Sequence, residues 1–133
     1  MRIVLRVLGL LLALIVVVVG LELIASESGE VVVLQTNDPA GKPKETRLWV
    51  VDEGGKQWLR AGDPQSSWLL DIQRDPIVQV EREGQKAIYS AVPDATSRDR
   101  INPLFAEKYG WADAYIAALF GRDDATPIRL DPR

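Results

Sequence analysis

Between Val7 and Leu21 the sequence runs VLGLLLALIVVVVGL without one charged side chain. A membrane-crossing helix needs roughly 20 apolar residues, and a signal-peptide core has about 10–15. Arg2 and Arg6 precede the run, and Glu22 interrupts it before Leu23-Ile24-Ala25. Cleavage after Ala25 would put Leu23 at the −3 position, where small residues are favoured. The expectation is an uncleaved signal anchor. A cleaved signal peptide is the first alternative and a buried core helix the second. Arginines before the run, with Glu22, Glu27 and Glu30 after it, predict a cytoplasmic N-terminus and a domain outside the cytoplasm. Residues 1–25 are therefore read as a transmembrane helix. Residues 26–133 are read as one domain, and 108 residues suffice for one modest core.

The chain contains no His and no Cys. Disulfides, a thiolate nucleophile, lipidation at a processed terminus and Cys-ligated metal are excluded. So are a Ser-His-Asp triad, His-ligated metal and the usual base near neutral pH. No catalytic side chain and no metal ligand set is expected. Any chemistry would come from a bound organic cofactor. Arg2 and Arg6 are two of the 16 basic residues, and residues 1–21 hold none of the 19 acidic ones. The remainder thus has 14 basic and 19 acidic residues, a balance of −5. That balance, with no basic run, argues against nucleic acid as a partner.

Beyond the anchor the pattern is mainly β with inserted helices, an α+β class. Strands are predicted near residues 31–36, 46–52, 56–61, 77–82, 86–92 and 127–131. Glu53-Gly54-Gly55 and Glu83-Gly84-Gln85 read as hairpin turns, and Asn37 to Gly41 as a further turn. Ser66 or Ser67 can cap a helix that runs to Arg74 and stops at Asp75-Pro76. Ser97 can cap another, with Asn102-Pro103 restarting or kinking it. Ile101, Leu104, Phe105 and Tyr109 follow helical spacing, and Gly110 separates a last helix. Six antiparallel strands of this size are expected to close into a barrel, because closure removes unpaired edges.

The stretch WLRAGDPQSSWLLDIQRDPIVQVEREG resembles the split β-barrel flavin-binding superfamily, which includes the pyridoxamine-phosphate-oxidase-like proteins. AEKYGWAD and the ending PIRLDP are similar to its deazaflavin-dependent nitroreductase and quinone reductase branch. The resemblance spans about residues 31–132. It implies a six-stranded split barrel, a cofactor that is FMN or a deazaflavin, and a homodimer with the cofactor near its interface. It also implies hydride transfer to a small-molecule acceptor, a quinone or a nitro compound. The alternative is a non-catalytic barrel that binds a flavin-like ligand, a lipid or a partner protein.

The resemblance sets the basic turn before the second strand against the cofactor's anionic tail. Its counterpart here is Lys42, Lys44, Thr46 and Arg47. Cations and a hydroxyl so closely spaced can neutralise a phosphate, or can simply form a solvated hairpin mouth. Arg60, Ala61 and Gly62 match the strand end beside the flavin ring, where small residues admit a flat ring. Arg60 itself reads as a surface cation outside the core. Ser66 and Ser67 match a phosphate site, with plain helix capping as the alternative. Trp68 stands where the oxidase branch often has Lys, and can equally be core. Lys108 lies on the apolar stripe of its helix, three residues after Phe105. It can reach a substrate oxygen in a pocket walled by Tyr109 and Trp111, or snorkel to solvent.

Overall fold

Three turns set the hairpins of this domain. Gly54 and Gly55 have φ of 62° and 75°, as a two-residue hairpin turn of the I′ kind demands, and join β3 (Val51–Glu53) to β4 (Lys56–Ala61). Glu83 and Gly84, at φ 52° and 78°, join β5 (Ile77–Arg82) to β6 (Gln85–Pro93). Between β1 (Val31–Asn37) and β2 (Pro43–Trp49), Asp38 Oδ1 accepts from the Ala40 and Lys42 amides, both at 2.9 Å. The computed structural model describes residues 1–26, 29–120 and 125–133. Glu27, which entered the orientation argument, lies outside them.

With β7 (Thr126–Pro132), the strands form one sheet in the order β2-β1-β5-β6-β7-β4-β3, and every pairing is antiparallel. Seven strands replace the six expected, because the segment read as one strand over 46–52 breaks at Val50. Val50 is fully buried and leaves the ladder as the chain passes from one end of the sheet to the other. Its backbone is satisfied from a helix instead: the Tyr109 hydroxyl accepts from its amide at 2.9 Å, and Lys108 Nζ donates to its carbonyl at 2.7 Å. The expected closure is likewise incomplete. β2 and β3 are the two ends of the sheet, joined by the chain at Val50 and not paired with each other, so the barrel is open on that side.

Alternation along the strands sorts two cores. Val32, Leu34, Leu59, Ala61, Val78, Val80, Ile128 and Leu130 point inward. Helix α2 (Ser67–Arg74) adds Trp68, Leu69 and Ile72 to them. Trp58 and Leu59 are both buried because successive residues of a strand face opposite sides. Leu59 fills the barrel, while Trp58 joins Val51, Ile101, Phe105 and Tyr109 beneath α3 (Arg98–Tyr109). The expected restart at Asn102-Pro103 does not occur. Pro103 sits inside a continuous α3, where Pro103 and Asp99 are both exposed and water can satisfy the carbonyl its ring cannot bond. Ser97 gives α3 no side-chain cap; its hydroxyl donates to Asp94 Oδ2 at 2.6 Å.

Two helices stand apart from these cores. α1 (Arg2–Ser26) contains a span, Arg2–Leu21, long and apolar enough to cross a membrane, and none of that span is buried. α4 (Trp111–Phe120) packs against it, with the Tyr115 hydroxyl donating to the Val18 carbonyl at 3.1 Å.

Candidate functional site

β3 is only three residues long. It pairs with Lys56, Gln57 and Trp58 of β4, so the following Leu59–Ala61 segment has a described strand neighbour on the β7 side only. A cavity of about 180 Å³ opens at this split. Arg47, Leu48 and Trp49 of β2 form one wall, Arg60 and Gly62 the other, and Phe105 and Ile116 roof it.

Arg60 holds the centre of the site. Its Nη2 lies 2.6 Å from Asp113 Oδ1, and the two side chains are 10% and 1% exposed. The guanidinium carbon sits 4.5 Å from the centroid of the Phe105 ring. Arg60 is therefore part of the packed structure between the barrel and α3–α4, and the surface reading of this residue is corrected. The cause is Asp113, the lone charge in the sequence WADAYIAALF, which brings a carboxylate under the strand. Arg60 Nη1 is buried and has no hydrogen-bond partner among the described residues. A buried donor without a partner costs about 1–3 kcal/mol.

The aromatic wall is stiffened from behind. Trp49 stacks on Tyr109 with ring centroids 4.3 Å apart and 8° between planes. Tyr109 is fixed in turn, since its hydroxyl donates to the Glu30 carbonyl at 2.7 Å while accepting from Val50. Burial pushes that hydroxyl above its ordinary pKa, so it stays protonated and able to donate.

The remaining candidates divide into three groups. Lys44 pairs with Asp71 and donates to Ser67 Oγ at 3.2 Å, so β2 and the start of α2 do meet in one polar cluster. Burial alone pushes the Asp71 carboxyl up, but hydrogen bonds from Lys44, Thr36 and Arg74 outweigh it and hold it below the ordinary range. Thr46 shares the Lys44 face of β2, whereas Arg47 lies on the opposite, exposed face beside the cavity. Lys42 is exposed in the turn. Ser66 occupies the cap position of α2 but makes no side-chain cap bond. Ala61 and Trp68 are core, at 0% and 6% exposure.

Lys108, Tyr109 and Trp111 do not gather as a pocket. Lys108 bonds Glu30 and Val50 and lines a separate shallow depression with Val51, Asp52, Leu104 and Glu107. Trp111 is 56% exposed. The polar stripe residue is thus explained by the Val50 bend. Among the cavity's residues, sequence reading missed Leu48, Trp49, Phe105 and Ile116, and behind Arg60 it missed the carboxylate of Asp113. The isolated Asp in an apolar helix was the signal for the last.

No protein-family model and no curated protein matches this sequence. Solved structures match its fold. A structure described as an F420-H2-dependent reductase superposes with TM-score 0.61 at 23% identity, over 77% of this chain and 94% of its own. The heme storage protein HutZ from Vibrio cholerae gives 0.60 at 15%, over 82% and 85%. A protein from Listeria innocua described as a pyridoxamine 5′-phosphate oxidase gives 0.56 at 17%, over 84% and 90%. The domain is a split β-barrel. The resemblance read from the sequence is borne out at the level of this fold.

Proposed function

We propose that this chain is a membrane-anchored oxidoreductase that binds FMN or a deazaflavin in the cavity at its split. The observation that carries the reading is the cavity at the split, which joins two cations, Arg47 and Arg60, to an aromatic wall at Trp49 and Phe105. A flat, oxygen-bearing ring fits those cations and that wall, and the F420-H2-dependent reductase of the same fold supports the class. The bound cofactor would supply hydride transfer to a quinone or a nitro compound. Arg60 would bond a ring oxygen, Trp49 would face the ring, and Arg47 would balance negative charge. Lys44 lies three residues before Arg47 along β2, about 10 Å away, and bonds Ser67 at the start of α2; the two would meet an anionic tail. Gly62 leaves room for close approach. Residues 1–25 would anchor the domain with the N-terminus cytoplasmic, and a homodimer belongs to the same proposal.

A second reading is a binding module without chemistry. HutZ, of the same fold, is described as a storage protein, which favours it. This chain has neither of the commonest haem-iron ligands, His and Cys, and in this reading its ligand would again be a flat organic molecule.

The test is a titration of the detergent-solubilised full chain with FMN and with the oxidised deazaflavin. Arg47→Gln should weaken binding roughly tenfold to a hundredfold, the effect of one charge-assisted contact. Binding of neither cofactor would end both readings for these ligands. Binding without turnover of quinone or nitro acceptors would select the second.

A further inference from the structure

We infer that α4 lies on the surface of the bilayer at the foot of α1, forming a second membrane contact. The inference rests on the anchor reading of α1.

The sequence of α4, WADAYIAALF, has Asp113 as its single charged residue, and Asp113 is buried against Arg60. The described outward surface of the helix therefore carries no charge. Ala112, Asp113 and Ile116 face the domain, while Trp111, Ala114 and Ala118 recur at intervals of three and four on the opposite side and are exposed. Leu119 is 44% exposed beside them. A helix facing water carries polar residues on its outer face, and one apolar all round is buried in protein or lipid.

The position of the helix decides the occupant. On a helical wheel Tyr115 falls between the exposed face and Leu119, and its hydroxyl reaches Val18, within the last turn of the apolar span that ends at Leu21. The exposed face of α4 is thus continuous with the exposed apolar surface of α1. Lipid that surrounds α1 would meet Trp111, Ala114 and Ala118 at the level where Trp and Tyr are favoured, the membrane–water interface. Ile116 on the inner side of the same helix roofs the cavity, which sets the cavity one helix diameter, about 10 Å, from lipid.

The absence of Cys makes the test clean. Single-Cys variants Ala114→Cys and Ala118→Cys of the full chain are labelled with an environment-sensitive fluorophore and reconstituted into phosphatidylcholine–phosphatidylglycerol vesicles. Leu11→Cys reports α1 and Lys86→Cys the far hairpin. At positions 114 and 118 the expected result is blue-shifted emission, quenching by shallow lipid-borne nitroxide and loss of quenching by iodide. Lys86→Cys should show the reverse. Deep lipid quenching at position 11 with free iodide access at 114 and 118 would overturn the α4 inference and leave the anchor standing. Iodide access at position 11 would overturn the anchor reading and this inference together. Protection at 114 and 118 without lipid quenching would assign the face to a second copy of the chain, and so also overturn it.

Discussion

Arg60 Nη2 and Asp113 Oδ1, 53 residues apart in the chain, meet at 2.6 Å in a buried ion pair that ties β4 to α4. The contact ties one wall of the cavity, at Arg60, to the helix that carries Ile116 of its roof. Removing one partner strands the other charge in a dry site, which typically costs 3–5 kcal/mol, whereas replacing both by apolar groups is often nearly neutral. Asp113→Ala should therefore lower the urea midpoint strongly. Arg60→Met combined with Asp113→Leu should recover most of that loss, and a double-mutant cycle measures the coupling.

Val50 supplies a second test. Tyr109→Phe keeps the stack on Trp49 but leaves the buried Val50 amide without its acceptor, for an expected loss of about 1–3 kcal/mol. Lys108→Met removes the bonds to Val50 and Glu30 at a part-exposed position and should cost about 1 kcal/mol. A lysine that only snorkelled would give unchanged or higher stability. Cofactor affinity should be unaffected by Lys108→Met, because Lys108 lines a different depression.

Much of this fold was legible in the sequence because its determinants are local. Gly54-Gly55 and Gly84 dictate hairpins through positive φ, and alternation from Ile77 to Arg82 sets a strand face. The break at Val50 was not legible, since its stabilising partners come from Tyr109 and Lys108, 59 and 58 residues away. The same limit governs the site. Gly62 and Arg47 were selected as candidates and do line one cavity. The choice of Lys108 rested on its place in an apolar stripe, and periodicity along one helix does not say which backbone carbonyl lies opposite. Nothing local marks Trp49, because what stiffens it is Tyr109, 60 residues on in the chain.

Acid should unfold the domain through its paired carboxylates. Hydrogen bonds from Arg129 and then Lys56 hold Asp131 down to about 2, against the ordinary 3.8. Arg82 and Lys108 lower Glu30, and Arg82 lowers Asp52 against the opposing effect of burial. A depressed carboxylate contributes its full stability above its unfolded pKa and loses it as pH falls through the folded value. The denaturant midpoint should thus be flat from neutral pH to the ordinary carboxylate range and fall between about pH 4 and pH 2. Asp131→Asn should shallow that fall; a midpoint unchanged across the window would contradict these pairings.

The central claim, that the split cavity is the ligand site, is tested most directly at Gly62. This residue lines the cavity, its φ is not in the left-handed region, and a Cβ built on it meets nothing within 4 Å. Gly62→Leu should therefore fold normally while occupying space the ligand needs. The measurement is the Kd for FMN and for the deazaflavin on wild type and Gly62→Leu, alongside the melting temperature of each. Affinity should fall at least tenfold, about 1.4 kcal/mol, with the melting temperature unchanged or raised. Wild-type affinity in a correctly folded Gly62→Leu protein would contradict that claim.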